Sequence, residues 1–163
     1  MAEPATLTIR RDFPRPDRAA IDLFAGVPSG YVVDALGRTG ALHWTIRAIT
    51  KTASFVGPAL TVRSRGRDNL APWAAIEFAK PGDILVVATG ANEEASVIGD
   101  LLAGMARNRG IAGIVTDGLV RDVPGLNEVG LPVFARGVTP NSPFKTGPGA
   151  IGTPIDVMGA HVC

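Results

Sequence analysis

A chain of 163 residues, 46% of them hydrophobic, is long enough for one domain with a substantial core. Its formal net charge of +1, with acidic and basic residues interspersed, gives no electrostatic basis for nucleic-acid binding. No apolar run approaches the ~20 residues of a membrane-spanning helix, and the N-terminus lacks the apolar core of a signal peptide. We therefore expect a cytoplasmic protein with neither a membrane nor a nucleic-acid partner. The single cysteine, Cys163, excludes an intramolecular disulfide and a cysteine-pair metal site.

The first third of the chain is predicted to form an arm, two short helices and a strand. Residues 1–16 are expected to be a solvated arm, because aspartates and prolines interrupt the basic cluster "RRDFPRPDR". The segment "DRAAIDLFAGVPSGYVVDALGR" predicts two short helices separated at "AGVPSG", with Asp17 and Ser29 as N-caps. "ASFVGPALTVRS" predicts a strand in which Gly57-Pro58 marks either a bend or an edge position.

The rest of the chain alternates helical and strand patterns. In chain order, the predicted elements are a helix in "DNLAPWAAIEFAKPGD" capped by Asp68 or Asn69, a buried strand in "DILVVAT", a helix in "LLAGMARNRG", a second buried strand in "IAGIVTD", a short helix in "VPGLNEVG" and a third strand in "LPVFARG". Such alternation indicates an α/β fold whose central sheet is largely parallel and flanked by helices. The glycine-rich segment "GPGAIGTP" lacks the ending of a phosphate loop and is predicted to be a connection.

Polar residues gather where two neighbouring predicted strands end, the edge at which parallel sheets bind ligands. Within "TGANEEASVIGDLLAGM", a helix beginning at Asn92 would leave Gly99 in its interior at a cost of ~1 kcal/mol. If the helix instead begins near Gly99, the free amides of "GDLL" form a site for a carboxylate or phosphate. Asp100 is then either a helix cap or a catalytic residue.

Arg121 and Asp122 follow the next predicted strand. Adjacent residues of an extended segment point to opposite faces, so we expect each to have a separate partner. The crossover between Asp100 and Arg121 is long enough to return the chain to the same sheet edge. Asp100, Arg121 and Asp122 could therefore converge, with an arginine and free amides binding an anion and a carboxylate binding a divalent cation. Each residue taken alone favours a structural role over a functional one.

The arrangement of Asp100 and Arg121-Asp122, with twenty residues between Asp100 and Arg121, resembles the 4-hydroxy-4-methyl-2-oxoglutarate aldolase family, which includes the regulator of ribonuclease activity A proteins. The resemblance extends from Leu23 to the end of the chain, and its matching segments are "VVDALGR", "GPALTV", "RDNL", "GDILVV", "GDLLA", "GIVTDGLVRD" and "LPVFARGVTP". It implies a swivelling β/β/α domain assembled as trimers or hexamers with sites at subunit interfaces. It also implies class II, Mg²⁺- or Mn²⁺-dependent cleavage of 4-carboxy-2-oxo acids to pyruvate, with oxaloacetate decarboxylation as a companion activity.

The resemblance also implies a role for each site residue. Asp122 would be the direct metal ligand, and Arg121 would bind the pyruvyl oxygens as a catalytic residue. The backbone amides of Gly99, Asp100, Leu101 and Leu102 would bind the substrate carboxylate. Asp100 would also be catalytic, orienting a metal-bound water that accepts the proton of the C4 hydroxyl.

Two rival functions bear on this assignment. A Schiff-base aldolase is disfavoured, because none of the three lysines, Lys51, Lys80 and Lys145, falls in a predicted apolar pocket. A protein-binding regulator of ribonuclease activity would need a surface and no metal ligand. Members of that branch can lack the aspartate after the arginine, whereas Asp122 is present here.

The C-terminal end departs from the family pattern. Family members usually continue past a segment like "GAHVC" with further strands, and an acidic contribution from a neighbouring subunit lies in that region. Either the chain is a fragment of a longer product or the sheet closes differently. A member that keeps the fold without the activity is a third possibility.

Overall fold

The computed structural model describes residues 6–163, and within this range strands and helices alternate along most of the chain. The helices are α1 (Arg18–Asp22), α2 (Ser29–Ala35), α3 (Leu70–Phe78), α4 (Asp100–Asn108) and α5 (Val123–Val129). The strands are β1 (Leu7–Ile9), β2 (Arg47–Ala48), β3 (Ala59–Ser64), β4 (Ile84–Ala88), β5 (Ser96–Ile98), β6 (Gly113–Thr116), β7 (Leu119–Val120), β8 (Val133–Ala135), β9 (Gly137–Val138), β10 (Gly149–Ile151), β11 (Ile155–Val157) and β12 (Ala160–Val162).

The main sheet has seven strands in the order β1-β10-β3-β4-β6-β8-β2. Its centre, β3-β4-β6-β8, is parallel, while β10 and β2 run antiparallel to β3 and β8. Every residue of β4 is buried, since layers cover both faces of the strand, and this explains its continuous apolar sequence. The predicted α/β fold with a largely parallel central sheet is therefore confirmed.

Each face of the main sheet contributes to a separate hydrophobic cluster. On one face, Leu85 and Val87 of β4 pack with buried residues of α3 and α4, including Ala75 and Leu102. On the opposite face, the alternate β4 residues pack against the β11–β12 hairpin through Ile155 and Val157. Hairpin, sheet and helices thus form three layers.

A second, separate sheet contains three parallel strands in the order β5-β7-β9. Each of its strands follows one strand of the parallel centre, so β4 leads to β5, β6 to β7 and β8 to β9. Helix α4 begins directly after β5, and α5 begins shortly after β7. Because β5 and β7 are neighbours, the two helices begin side by side, and this sheet positions the candidate site.

Two local predictions were wrong, and one alternative of a third is excluded. Ser29 is the first residue of α2 and Pro28 its N-cap, whereas Asp17 occupies the N-cap position of α1 as predicted, without a side-chain cap hydrogen bond. Gly57-Pro58 precedes β3, an interior strand, so the edge alternative fails. "GPGAIGTP" contains β10, because its apolar residues Ala150 and Ile151 are buried in the main sheet.

The N-terminal arm is not simply solvated over its described part. Strand β1 pairs with β10, and Phe13 packs against the main core. Arg15 donates to Asp83 with an Nη2–Oδ2 distance of 2.7 Å, in an ion pair whose side chains are largely buried. The interrupting residues of "RRDFPRPDR" therefore did not prevent docking. Residues 1–5 of the predicted arm lie outside the described residues.

Among the helices of residues 6–163, none combines the length and the apolarity needed to cross a bilayer.

Candidate functional site

The start of α4 follows the second of the two alternatives drawn from the sequence. Residues 96–98 form β5, Gly99 is the N-cap, and Asp100 is the first residue of the helix. Gly99 is extended, with φ of −132° and ψ of −179°, and no side chain caps the helix. The amides of the first turn have no partner within the helix, and the positive end of the helix dipole lies here.

The amides predicted to bind the substrate carboxylate are not all equally available. The amide of Leu101 donates to Asp100 Oδ1 at 2.7 Å. Leu102 buries its side chain in the core, whereas the side chain of Leu101 is 71% exposed. Leu102 therefore anchors this turn to the core, whereas the side of the turn that carries Leu101 faces solvent.

Arg121 and Asp122 pair with each other, contrary to the expectation of separate partners. Arg121 Nε lies 3.0 Å from Asp122 Oδ2. Asp122 has a left-handed backbone, with φ of 58° and ψ of 43°, so the chain turns between the two residues instead of remaining extended. This turn brings the carboxylate round to the guanidinium. Both side chains stay accessible, at 37% and 40% exposure.

The two halves of the predicted site converge. A Cβ placed on Gly99 would lie 2.8 Å from Asp122 Oδ2 and 3.2 Å from Arg121 Nε. The amide of Arg121 donates to the carbonyl of Ile98 at 3.0 Å, which joins the ends of β5 and β7. Since Asp100 directly follows Gly99, Asp100, Arg121 and Asp122 share one surface at the starts of α4 and α5.

Two residues that the sequence reasoning missed shape this surface. Ser142 Oγ accepts a hydrogen bond from Arg121 Nη1 at 2.9 Å, giving the guanidinium a second anchor. A Cβ on Gly125 would lie 2.6 Å from Asp100 Oδ2, so a glycine there makes room for the carboxylate. Both lie outside the segments that carried the family resemblance, and neither position has a residue type that signals a site by itself.

The remaining predicted candidates lie elsewhere or have structural roles. All three lysines are exposed, which agrees with the argument against a Schiff base. Of the two predicted caps of α3, Asn69 is the N-cap residue. Asp68 is buried and accepts hydrogen bonds from the amides of Leu70, Thr146 and Gly147, so it holds the start of α3 and a loop. Asn69 donates to the Val97 carbonyl of β5, while its Oδ1 is buried without a partner among the described residues.

The site is partly open to solvent, since the side chains of Arg121 and Asp122 are 37% and 40% exposed. Two clefts, of about 570 and 480 Å³, lie elsewhere, the first beside Arg63, Thr89 and His161 and the second beside Arg67 and Phe144. Neither cleft is lined by Asp100, Arg121 or Asp122. We assign the site from the converging charged groups, because the volume of a cleft does not show which ligand or reaction it could serve.

The fold and the site together define an α/β domain that presents two carboxylates and an arginine at the ends of its extended parallel strands. The model of the RraA-like family, described as Aldolase/RraA, matches residues 30–163. The chain therefore belongs to this family, as its sequence motifs predicted.

Relatives of this chain carry two kinds of name. A Halalkalibacterium halodurans protein with the provisional name 4-hydroxy-4-methyl-2-oxoglutarate aldolase is 37% identical over 142 residues, covering 87% of this chain and 68% of that protein. A Thermus thermophilus protein named 4-hydroxy-4-methyl-2-oxoglutarate aldolase is 32% identical, over 75% of this chain and 74% of that protein. These names support a lyase at the coarse level.

Solved structures add the second kind of name. The structure of the RNA-processing inhibitor RraA from Thermus thermophilus matches with a TM-score of 0.77 and 29% identity, covering 83% of this chain and 82% of that one. A Streptomyces coelicolor member of the RNase ES inhibitor RraA family matches with a TM-score of 0.78 and 28% identity, covering 92% and 79%. The shared architecture confirms the fold.

Proposed function

We propose that the protein is a divalent-metal-dependent aldolase that cleaves 4-hydroxy-4-methyl-2-oxoglutarate or related 4-carboxy-2-oxo acids to pyruvate. The observation that carries the proposal is the approach of the α4 start to the Arg121–Asp122 pair, with the Gly99 Cβ position 2.8 Å from Asp122 Oδ2. This approach puts a cation, two carboxylates and free amides around one point, which suits a small anionic substrate. Oxaloacetate decarboxylation would be a companion activity, because it passes through the same enolate of pyruvate.

The residues of the site fit a sparsely coordinated Mg²⁺ or Mn²⁺. No group of three or more histidine, cysteine or acidic side chains within residues 6–163 is placed to hold a metal. Asp122 is accessible, and Arg121 Nε lies 3.0 Å from its Oδ2, so we assign its Oδ1 as the metal ligand. Mg²⁺ is commonly held by one or two carboxylates, with water and substrate oxygens completing its shell. Such a cation supplies Lewis-acid polarisation of the 2-oxo group.

The side chains of this chain would divide the remaining work. The guanidinium of Arg121, fixed by Asp122 and Ser142, would bind the pyruvyl oxygens and stabilise the negative charge that develops on the 2-oxo oxygen. The free amides at the start of α4 would hold the substrate carboxylate. Asp100, with Oδ2 directed over Gly125, would orient the water that accepts the proton of the C4 hydroxyl.

A coupled assay for pyruvate tests the proposal. The substrates are 4-hydroxy-4-methyl-2-oxoglutarate and oxaloacetate, each with Mg²⁺, with Mn²⁺ and with a chelator. We expect metal to switch on pyruvate release. Arg121→Ala should lower kcat/KM by at least about 10²-fold, the usual loss for a group that stabilises an oxyanion. Asp122→Ala should abolish the response to metal, because it removes the proposed ligand. Full turnover by both variants would show that the site is elsewhere.

The matched controls use another exposed pair of the same chemistry. Arg18 and Asp22 form a surface ion pair with an Nε–Oδ1 distance of 2.8 Å, distant in sequence from the site. Arg18→Ala and Asp22→Ala should leave pyruvate release unchanged. A comparable loss in these variants would mean that removing any surface charge impairs the protein, and the site assignment would fail.

A second candidate function is supported by the names of the structural neighbours. In this case the protein would bind a ribonuclease and lower its activity through a surface contact. RNA cleavage by an RNase E-type enzyme would then fall in proportion to added protein, with or without a chelator. Because no substrate pocket is needed, Asp122→Ala would be expected to retain this inhibition while losing any pyruvate release.

A further inference from the structure

A buried carboxylate lies between the main sheet and the β5-β7-β9 sheet. Asp117 follows β6 and is 1% exposed. Its Oδ1 accepts hydrogen bonds from the amide of Thr89 at 2.6 Å and from the Thr89 hydroxyl at 2.8 Å. Its Oδ2 accepts a hydrogen bond from the amide of Ala91 at 3.0 Å. Both oxygens are thus used to fix the loop that follows β4.

The loop that Asp117 holds has a shape that needs support. Ala91 has φ of 57°, a left-handed conformation that an alanine rarely adopts, so hydrogen bonds must maintain it. The Thr89 hydroxyl in turn accepts a hydrogen bond from the amide of Asn92 at 3.1 Å. Asp117 therefore fixes the whole turn between the main sheet and β5.

The two segments tied by Asp117 supply the two halves of the candidate site. The loop containing Thr89 and Ala91 leads through β5 to Gly99 and Asp100. Asp117 itself leads through β7 to Arg121 and Asp122. A displacement at Asp117 would therefore move one half of the site relative to the other.

The third connection between the sheets joins the same network. Arg136, between β8 and β9, donates through Nη1 to the carbonyl of Ala91 at 2.9 Å. Its backbone amide donates to the carbonyl of Gly118 at 3.1 Å. Arg136 thus also supports the β4–β5 loop. Asp117 differs from Arg136 because it lies in the segment that leads into β7 and to Arg121 and Asp122.

We propose that Asp117 is a positioning residue for the candidate active site, setting the distance between the amides at the start of α4 and the Arg121–Asp122 pair. Its catalytic consequence rests on the proposed function, whereas its structural consequence does not. Substitution by asparagine keeps the shape of the side chain but replaces an acceptor with an NH₂ group. That donor would face the donors of Thr89 or Ala91, and the loop would shift.

The test compares Asp117→Asn with Asp83→Asn. Asp83 is the matched control, because it is also a 1% exposed carboxylate with several hydrogen bonds, but it precedes β4 at the opposite end of that strand. Amide hydrogen exchange is followed in residues 96–102 and 119–122, and kcat and KM are measured for pyruvate release with metal. We expect Asp117→Asn to accelerate exchange in both segments and to lower kcat about 10²-fold, the scale expected for a small misplacement of reacting groups.

Asp83→Asn should lower the free energy of unfolding while leaving exchange in these segments and kcat per folded protein unchanged. Unaltered exchange in both segments of Asp117→Asn, or equal effects of the two variants, would overturn the proposal. If the wild-type protein releases no pyruvate, the proposed function fails, and the exchange comparison still decides whether Asp117 positions the site.

A second substitution covers the case in which Asp117→Asn does not fold. Thr89→Val removes the hydroxyl that donates to Asp117 and accepts from the Asn92 amide, while Thr89→Ser retains both hydrogen bonds. We expect faster exchange in residues 96–102 for Thr89→Val and near-wild-type exchange for Thr89→Ser. Equal exchange in the two Thr89 variants would contradict the proposal.

Discussion

Gly99 determines how closely the start of α4 approaches the Arg121–Asp122 pair. Its φ of −132° is accessible to any residue, so Gly99→Ala should not strain the backbone. The added Cβ would lie 2.8 Å from Asp122 Oδ2, the free end of a side chain that can move away. We expect the free energy of unfolding to fall by about 1 kcal/mol or less, the cost of alanine at an N-cap. Pyruvate release should fall about 10²-fold, because the carboxylate is displaced.

The control for this substitution lies in the same helix. A Cβ on Gly104 meets nothing closer than Val129 Cγ2 at 3.9 Å, so Gly104→Ala should raise helix stability by about 1 kcal/mol without affecting turnover. Urea denaturation and the pyruvate assay, run on both variants, provide the comparison. If Gly99→Ala retained wild-type turnover, the close approach of Gly99 to Asp122 would be irrelevant to catalysis.

At the residue scale, the sequence predicted which side chains meet but not how they are arranged. The spacing between Asp100 and Arg121 places both at one edge, since it matches a helix and a strand of ordinary length. The pairing of Arg121 with Asp122 depends on the left-handed backbone of Asp122, and aspartate is one of several residues that permit this conformation without requiring it. The contribution of Ser142 depends on a loop whose path no local pattern specifies.

At the element scale, predictability followed the length of each apolar run. Strands β4 and β6 are largely apolar segments and were predicted, as was α5, which has a proline in its first turn and a glycine directly after its last residue. Strands β7 and β9 have two residues each, too few to show any periodicity. Strand β10 was missed because its glycines suggested a connection, although Gly149 packs against Ala71, where a Cβ would lie 2.5 Å from that side chain.

Helix α4 offers a direct test of which face anchors the site. Leu102 is 1% exposed in the main core, whereas its neighbour Leu101 is 71% exposed. Leu102→Ala should lower the free energy of unfolding by about 3 kcal/mol through loss of burial and formation of a cavity. Leu101→Ala should change it by no more than ~0.5 kcal/mol. Urea denaturation at one fixed protein concentration measures the free energy of unfolding of both variants. Similar losses in the two variants would show that Leu102 does not anchor α4 more strongly than Leu101 does.

At the scale of the whole molecule, the exposed apolar side chains indicate a missing contact surface. Helix α2 contains no buried residue. Tyr31 is 70% exposed and Trp44 is 73% exposed, and both lie in this N-terminal part. Large exposed apolar groups that cluster in this way are typical of protein–protein interfaces. A second protomer bound at such an interface would also cover the exposed candidate site.

We propose that the protein assembles as a homotrimer or hexamer with its sites at subunit interfaces. Light scattering coupled to size-exclusion chromatography should give the corresponding mass, and Tyr31→Lys should shift the protein towards the monomer, because it places a charge in an apolar contact. Tyr31→Phe keeps the ring and should preserve assembly. Pyruvate release per protomer should fall with Tyr31→Lys and on dilution, since the equilibrium between assembled and free protomers depends on concentration. A monomer with full turnover at every concentration would contradict both the assembly and the interfacial site.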